Sequence, residues 1–153
     1  MAKSVMISIR PEWVQKILSG EKTVEVRKTA PKIATPFKCY IYCTKPRVGK
    51  KYEYDAFGLN GKPVECVGTV VAEFICDKVE CFGVPYPAYS SKMRKDIMEQ
   101  SCLTYTELHQ YAKHDHLYSW HISNLKVYDE PKELCEFTKY AVMIHCKSRM
   151  LLP

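Results

Sequence analysis

The chain has 153 residues, 46% of them apolar, which is enough for one sizeable core and short for two. Its 23 Lys and Arg against 17 Asp and Glu leave a net charge of +6, a moderate basic excess that permits an anionic partner such as nucleic acid without requiring one. No stretch approaches the ~20 apolar residues of a membrane span, and MAKSVMISIR runs straight into a strand pattern rather than a signal peptide, so the cytoplasm is the expected location.

Val5, Ile7 and Ile9 alternate with Met6, Ser8 and Arg10, which predicts a first strand over 5–10. Pro11 suits the first position of a following helix, where its missing N–H would have no partner in any case. Trp13, Val14, Ile17 and Leu18 form the apolar stripe of that helix, and Gly20 is placed to cap its C-terminus. A second strand follows over 22–28. Its period of two puts Val24 and Val26 on one side and Thr23, Glu25 and Arg27 on the other, with Glu25 and Arg27 ~6.7 Å apart. Lys22 has the opposite parity, and joins the polar side only if it belongs to the turn after Gly20.

Lys38–Thr44 (KCYIYCT) reads as a third strand. Tyr40, Tyr42 and Thr44 share one of its faces and Lys45 follows; such rings suit base stacking, with half-buried sheet tyrosines as the plainer alternative. The connection over 45–63 holds the densest basic-aromatic stretch, Lys45, Arg47, Lys50 and Lys51 with Tyr52 and Tyr54, which fits a phosphate backbone or simply a solvated loop. VGTVVAEFIC, over 67–76, is apolar on both sides and predicts a buried strand, with Gly68 marking a bulge.

After the Pro-rich turn VPYPAYSS a helix is expected over 91–99, with Met93, Ile97 and Met98 as its core stripe. Thr104 opens another helix through a Thr-x-x-Glu capping box with Glu107, turning Tyr105, Leu108 and Tyr111 or Ala112 inward. His114-Asp-His116 has the look of a metal or base pair, or of an exposed helix-end cap. LYSWHISNLKVY, over 117–128, predicts a long strand broken at Ser123-Asn124, with Trp120 in the core and His121 on the other side as a candidate for a cleft. The turn EPKELCEF leads to a last alternating stretch, Tyr140–Lys147. The sum is a single α+β domain over 1–153, a small mixed β-barrel of about six strands with two or three helices.

Eight cysteines raise the question of disulfides or zinc. Cys39 and Cys43, four apart on a strand, lie ~13 Å from one another, too far for either. Cys76 and Cys81 lack a partner Cys-x-x-Cys pair, so reduced, mostly buried thiols are expected, with no metal site and no cofactor.

One constellation carries chemistry. A helix ending at Gly20, Lys22 in the turn, and Glu25 and Arg27 on one strand face would make a charged ledge. Arg and Lys supply donors for a phosphate or a base edge, while Glu25 orients them or accepts from an amino group. On spacing alone, a solvated face with a weak Glu–Arg pair is the simpler account.

The run SIRPEWVQKILSGEKTVEVR, Ser8 to Arg27, resembles the opening of an ASCH domain, a family with a PUA-like barrel. The family signature, Gly-x-Lys-x-x-x-x-Arg with Glu common at the third variable place, falls on Gly20, Lys22, Glu25 and Arg27 and is complete. The resemblance continues through YIYCTK, GTVVAEFICDKV and YSWHISNLKVYDEPKEL to about residue 137, the last pointing to small stand-alone members of bacteria and their phages. It implies an RNA- or nucleotide-binding cleft involving Gly20, Lys22, Glu25 and Arg27; Tyr42, Lys45 and His121, read from their strand positions, are the flanking candidates.

Some members of that family are enzymes, so the enzymatic question stays open. One group resembles an amidohydrolase of N4-acetylcytidine that uses a lysine, a threonine and a glutamate; others have been described as ribonucleases. Lys22 matches the lysine, but Glu25 stands at the threonine position, Thr23 is two residues early, and the glutamate register falls on Ser101 with Glu99 nearby. In an enzyme, Lys22 and Glu25 are the expected catalytic pair. Relatives with the YSWHIS segment often close with Pro-Gln-Ser-Trp-x-Tyr-Val, whereas this chain ends HCKSRMLLP, leaving Ala141–Cys146 to close the barrel or its seam less complete. The expected partner is RNA, a nucleotide or a nucleoside, with no membrane; the oligomeric state is not legible.

Overall fold

The computed structural model describes residues 4–45, 66–86, 88 and 90–137, and the backbone of 141–144. The basic-aromatic stretch with Arg47, Lys50, Lys51, Tyr52 and Tyr54, its Asn-Gly turn, and Cys146 lie outside the described residues. Strand β1 (Ser4–Ile9) leads into helix α1 (Pro11–Leu18), then β2 (Val24–Arg27), β3 (Phe37–Cys43) and β4 (Val70–Phe82). Helices α2 (Lys95–Ser101) and α3 (Tyr105–Ala112) follow, then β5 (Leu117–Lys132), a 3-10 turn (Leu134–Glu136) and β6 (Ala141–Ile144). Among the described residues no helix is long and apolar enough to cross a membrane.

The strands form one mixed sheet in the order β2-β5-β4-β3-β1-β6. β1 runs parallel to both β3 and β6, and the other pairings are antiparallel. The six strands agree with the sequence pattern, but the sheet is open: no ladder among the described residues joins β2 to β6, so the expected barrel is an open, bulged sheet. Register shifts between Cys76 and Val79, and a left-handed Asn124 at φ 49° where the break was expected, bend β4 and β5.

One face of the sheet packs Val5, Ile7, Ile9, Cys39, Ile41, Phe74 and Trp120 against Val14 and Ile17 of α1. The other face is divided. Val24 and Val26 of β2 meet Ile97 of α2 and Leu108 and Tyr111 of α3. Farther along, Met6, Val70 and Tyr128 pack with Phe137, and Tyr40 and Tyr42 lie half-buried against them. Local signals set several element ends. Pro11 opens α1, and Gly20 (φ 83°) follows its C-terminus in the left-handed region. The Thr104–Glu107 capping box opens α3 as expected.

Boundaries differ most from expectation at α2, β4 and β5, the last running four residues past Tyr128 to Lys132, into the expected turn EPKELCEF. α2 begins four residues later than predicted, where Arg94 grips Asp96 through contacts of 2.9 and 2.7 Å. β4 extends six residues beyond Cys76, because its second half pairs with the start of β5 from Val79↔Trp120 to Phe82↔Leu117. That pairing holds polar residues on a strand that their own pattern does not reveal. Gly68 sits in the turn before β4 at φ 81° rather than in a bulge, with the Lys45 side chain laid across it.

Candidate functional site

The ledge is built where three chain segments meet. After Gly20 the chain leaves α1 with the Lys22 N–H donating to Lys16 O (2.9 Å), so Lys22 lies in the turn and escapes strand parity. The Thr23 N–H then donates to Gln100 O (2.8 Å), tying this turn to the end of α2. From that position the Lys22 ammonium donates to Ser101 O (2.8 Å), a carbonyl at the negative end of α2. It also lies 3.3 Å from Glu25 Oε2 and 5.2 Å from the centre of the Trp13 ring. Arg27 Nε stands 3.4 Å from Glu25 Oε1, and Arg27 Nη2 donates to Ser8 O (2.9 Å) on β1.

Lys22, Glu25 and Arg27 are therefore brought together, at 2%, 9% and 8% exposure. This is not the solvated face of the simplest sequence account. Burial pushes the Lys22 amine below the ordinary lysine range, with the Glu25 carboxylate opposing that shift. The carboxylate at the centre accepts only, and both its contacts are long, so its oxygens keep acceptor capacity. Gly20 contributes conformation rather than contact, since an added Cβ would meet nothing within 4 Å.

The flanking candidates do not join this group. His121 pairs with Val24 across the β2–β5 ladder, while Glu25 pairs with Trp120, so His121 projects from the opposite face. There its Nε2 lies 3.1 Å from Glu80 Oε2, and Glu80 also meets Lys78 (3.0 Å) and Arg94 (3.6 Å). The Lys78 hydrogen bond, with His121 and Arg94, holds the Glu80 carboxyl below its usual range. Tyr42 is half-buried beside Met6 and Tyr128, again on the other side of the sheet, as the plainer alternative expected. Lys45 covers Gly68 at the end of β3.

Nor does the amidohydrolase set assemble. Thr23 and Glu99 are exposed, and at the glutamate register Ser101 meets Lys22 through its carbonyl. The partners that sequence reasoning missed are the main-chain oxygens of Ser8 and Ser101 and the ring of Trp13. A carbonyl leaves no trace in residue type, and Trp13 was legible only as part of a core stripe. The indole N–H groups of Trp13 and Trp120 are buried without a hydrogen-bond partner among the described residues.

The thiols are arranged partly as expected. Cys39, Cys43, Cys66 and Cys76 are buried, and Cys81 and Cys135 are exposed. Cys43 Sγ lies 3.7 Å from Cys66 Sγ, a proximity set by the turn before β4 that spacing could not reveal; their hydrogen bond, followed by burial, pushes the Cys43 thiol well up. Among the described residues no group of three or more His, Cys, Asp or Glu is placed to hold a metal ion.

No family model matches the chain. A stretch of 44 residues is 43% identical to an ASCH domain-containing ribonuclease of Zymomonas mobilis; it spans 29% of this chain and 30% of that protein, under a third of the relative's length. Among solved structures, ASCH from Zymomonas mobilis superimposes with a TM-score of 0.61 at 18% identity, over 90% of this chain and 78% of that one. Two point mutants of the Zymomonas protein give TM-scores of 0.60 and 0.58 at 18% and 19% identity, each over 90% of this chain and over 80% and 78% of theirs.

Proposed function

We propose, from the premise that this chain has the ASCH-domain fold, that it works as one domain that binds RNA through Lys22, Glu25 and Arg27. The observation that carries this reading is the carboxylate held between two cations, all three nearly buried at the rim of the core. Buried ion pairs rarely stabilise more than apolar residues of equal volume would, so stability alone is a weak reason for such a set. Recognition is a better one. Lys22 and Arg27 contact a phosphate or a base edge, and Glu25 fixes the guanidinium or accepts from a base amino group.

The test is fluorescence anisotropy with a short single-stranded RNA at about 50 mM salt, where phosphate contacts are strongest. Lys22→Ala and Arg27→Ala, checked for folding by circular dichroism, are expected to weaken binding at least about tenfold, as befits a lost charge-assisted contact. Folded variants with unchanged affinity would remove the ledge as the site.

A second reading, ribonuclease activity, is favoured by the Zymomonas relative, an ASCH domain-containing ribonuclease, and by the lowered basicity of Lys22. In that version the Glu25 carboxylate, or Lys22 on giving up its proton, takes the proton of a ribose 2′-hydroxyl. The 2′-oxygen attacks the adjacent phosphorus and the P–O5′ bond breaks, leaving a 2′,3′-cyclic phosphate, while the departing 5′-oxygen takes a proton back from the protonated base and becomes a hydroxyl. Arg27 stabilises the charge on the phosphoryl oxygens. Fragments ending in a cyclic phosphate, absent with Glu25→Gln while RNA binding persists, are the expected signature. RNA recovered intact after incubation limits the function to binding.

A further inference from the structure

We propose that the rings of Tyr86, Tyr105, His109 and His114 form a second nucleic-acid contact, a stacking platform for unpaired bases of single-stranded RNA; this rests on the RNA-binding reading above. Three of the rings each neighbour the fourth, His109. Tyr105 and His109 centroids are 5.5 Å apart with planes inclined 31°, Tyr86 and His109 6.1 Å apart at 47°, and His109 and His114 5.7 Å apart at 86°. Tyr105 and His109, one turn apart on α3, present their rings together. Tyr86 is 84% exposed, the one large apolar side chain so open among the described residues.

The arrangement is held rather than loose. The Tyr105 hydroxyl donates to Pro85 O (3.1 Å), fastening to α3 the residue that precedes Tyr86. Lys113 and His114 both adopt left-handed backbone, at φ 50° and 70°, a region that L-residues other than glycine seldom enter, and this turn sets the His114 ring edge-on against His109. A solvated helix end needs only one such residue to terminate.

The surroundings fit a nucleic-acid strand. Lys113 is exposed and directly precedes His114 in the chain. Lys28, which follows Arg27 directly, lays its ammonium 4.9 Å from the ring centre of Tyr111 and so puts a positive charge between the ledge and α3, on a different face of the helix from His109. The nearby acid, Asp115, accepts from the His116 N–H (2.7 Å). Base stacking needs open aromatic faces with cations alongside, and tolerates any base because every base has a π-face. An apolar protein partner would call for aliphatic surface here, and the patch has rings and an exposed lysine instead.

Tyr86→Ala and His114→Ala alter exposed side chains outside the ledge. Each is expected to weaken binding of a single-stranded RNA of about 12 nucleotides by about 5- to 30-fold, while a trinucleotide too short to reach beyond the ledge binds as before. An abasic strand of the same length should bind the wild-type protein no better than the intact strand binds Tyr86→Ala. If the double variant keeps full affinity while Lys22→Ala loses it, the platform is overturned and the ledge stands. If Lys22→Ala keeps affinity and Tyr86→Ala loses it, the ledge falls and the platform stands alone. A wild-type protein that binds no RNA overturns both.

Discussion

An ammonium at 2% exposure is held in this fold by three unlike partners: the Ser101 carbonyl, the Glu25 carboxylate and the Trp13 ring. They do not fully replace water, and the Lys22 amine stays below the ordinary lysine range. The sign of the consequence follows from proton binding. Between the native value of Lys22 and the unfolded value of about 10.4, the unfolded chain holds more protons than the folded one, so stability gained through Lys22 rises with pH in that window. Urea unfolding of wild-type protein and Lys22→Met from pH 8 upward is the measurement. The stability difference, wild type minus variant, should climb with pH; a flat difference would mean that Lys22 keeps its ordinary basicity. At this scale the site was partly legible. Period-two parity alone set Glu25 and Arg27 side by side, whereas Lys22 entered through its place in the signature and the turn after Gly20. Its principal hydrogen-bond acceptor, a carbonyl 79 residues away, is written in no side chain.

The ends of the elements obey local chemistry where a cap or a fixed φ decides them, and α1 gives the most direct test. Gly20 holds φ 83° in open space, so a methyl there meets no atom and the cost of adding one is conformational only. Gly20→Ala should destabilise the fold by about 1 kcal/mol, lowering Tm by roughly 2–4 °C, and Gly20→Asn should recover part of that because asparagine tolerates the left-handed region. Equal melting of all three proteins in calorimetry would show that the cap is not held in this conformation. The same local signals made Pro11 and Thr104 readable as helix starts. They failed at β4, whose residues Asp77–Cys81 stay extended because β5 offers them a ladder, and at α2, where the Arg94–Asp96 pair rather than the buried Met93 marks the first turn. In both places a partner distant in sequence, or an ion pair, outweighed the hydrophobic pattern.

At the scale of the whole molecule, six strands were countable from alternation but their order was not, because order depends on which edges meet. The sheet begins at β2 and ends at β6, and the hydrogen bond from Arg27 on β2 to Ser8 O on β1 reaches across its curled face. One side chain thus bridges a gap that a closed barrel would fill with a ladder, and the arginine of the ledge also braces the fold. β6 matters for the same reason. It pairs in parallel with β1 from Ser4↔Ala141 to Ile7↔Ile144, covering a strand whose Val5, Met6, Ile7 and Ile9 are all buried. A chain ending at Phe137 would lose that cover and present β1 as an apolar edge with unpaired N–H and C=O groups, a template for pairing between molecules. The shortened protein is expected to unfold at lower urea and to associate as its concentration rises, read by light scattering against the full-length chain. Should it keep the same midpoint and the same scattering, β6 would be dispensable, and the β2–β1 brace together with the two packed faces would suffice to hold the sheet.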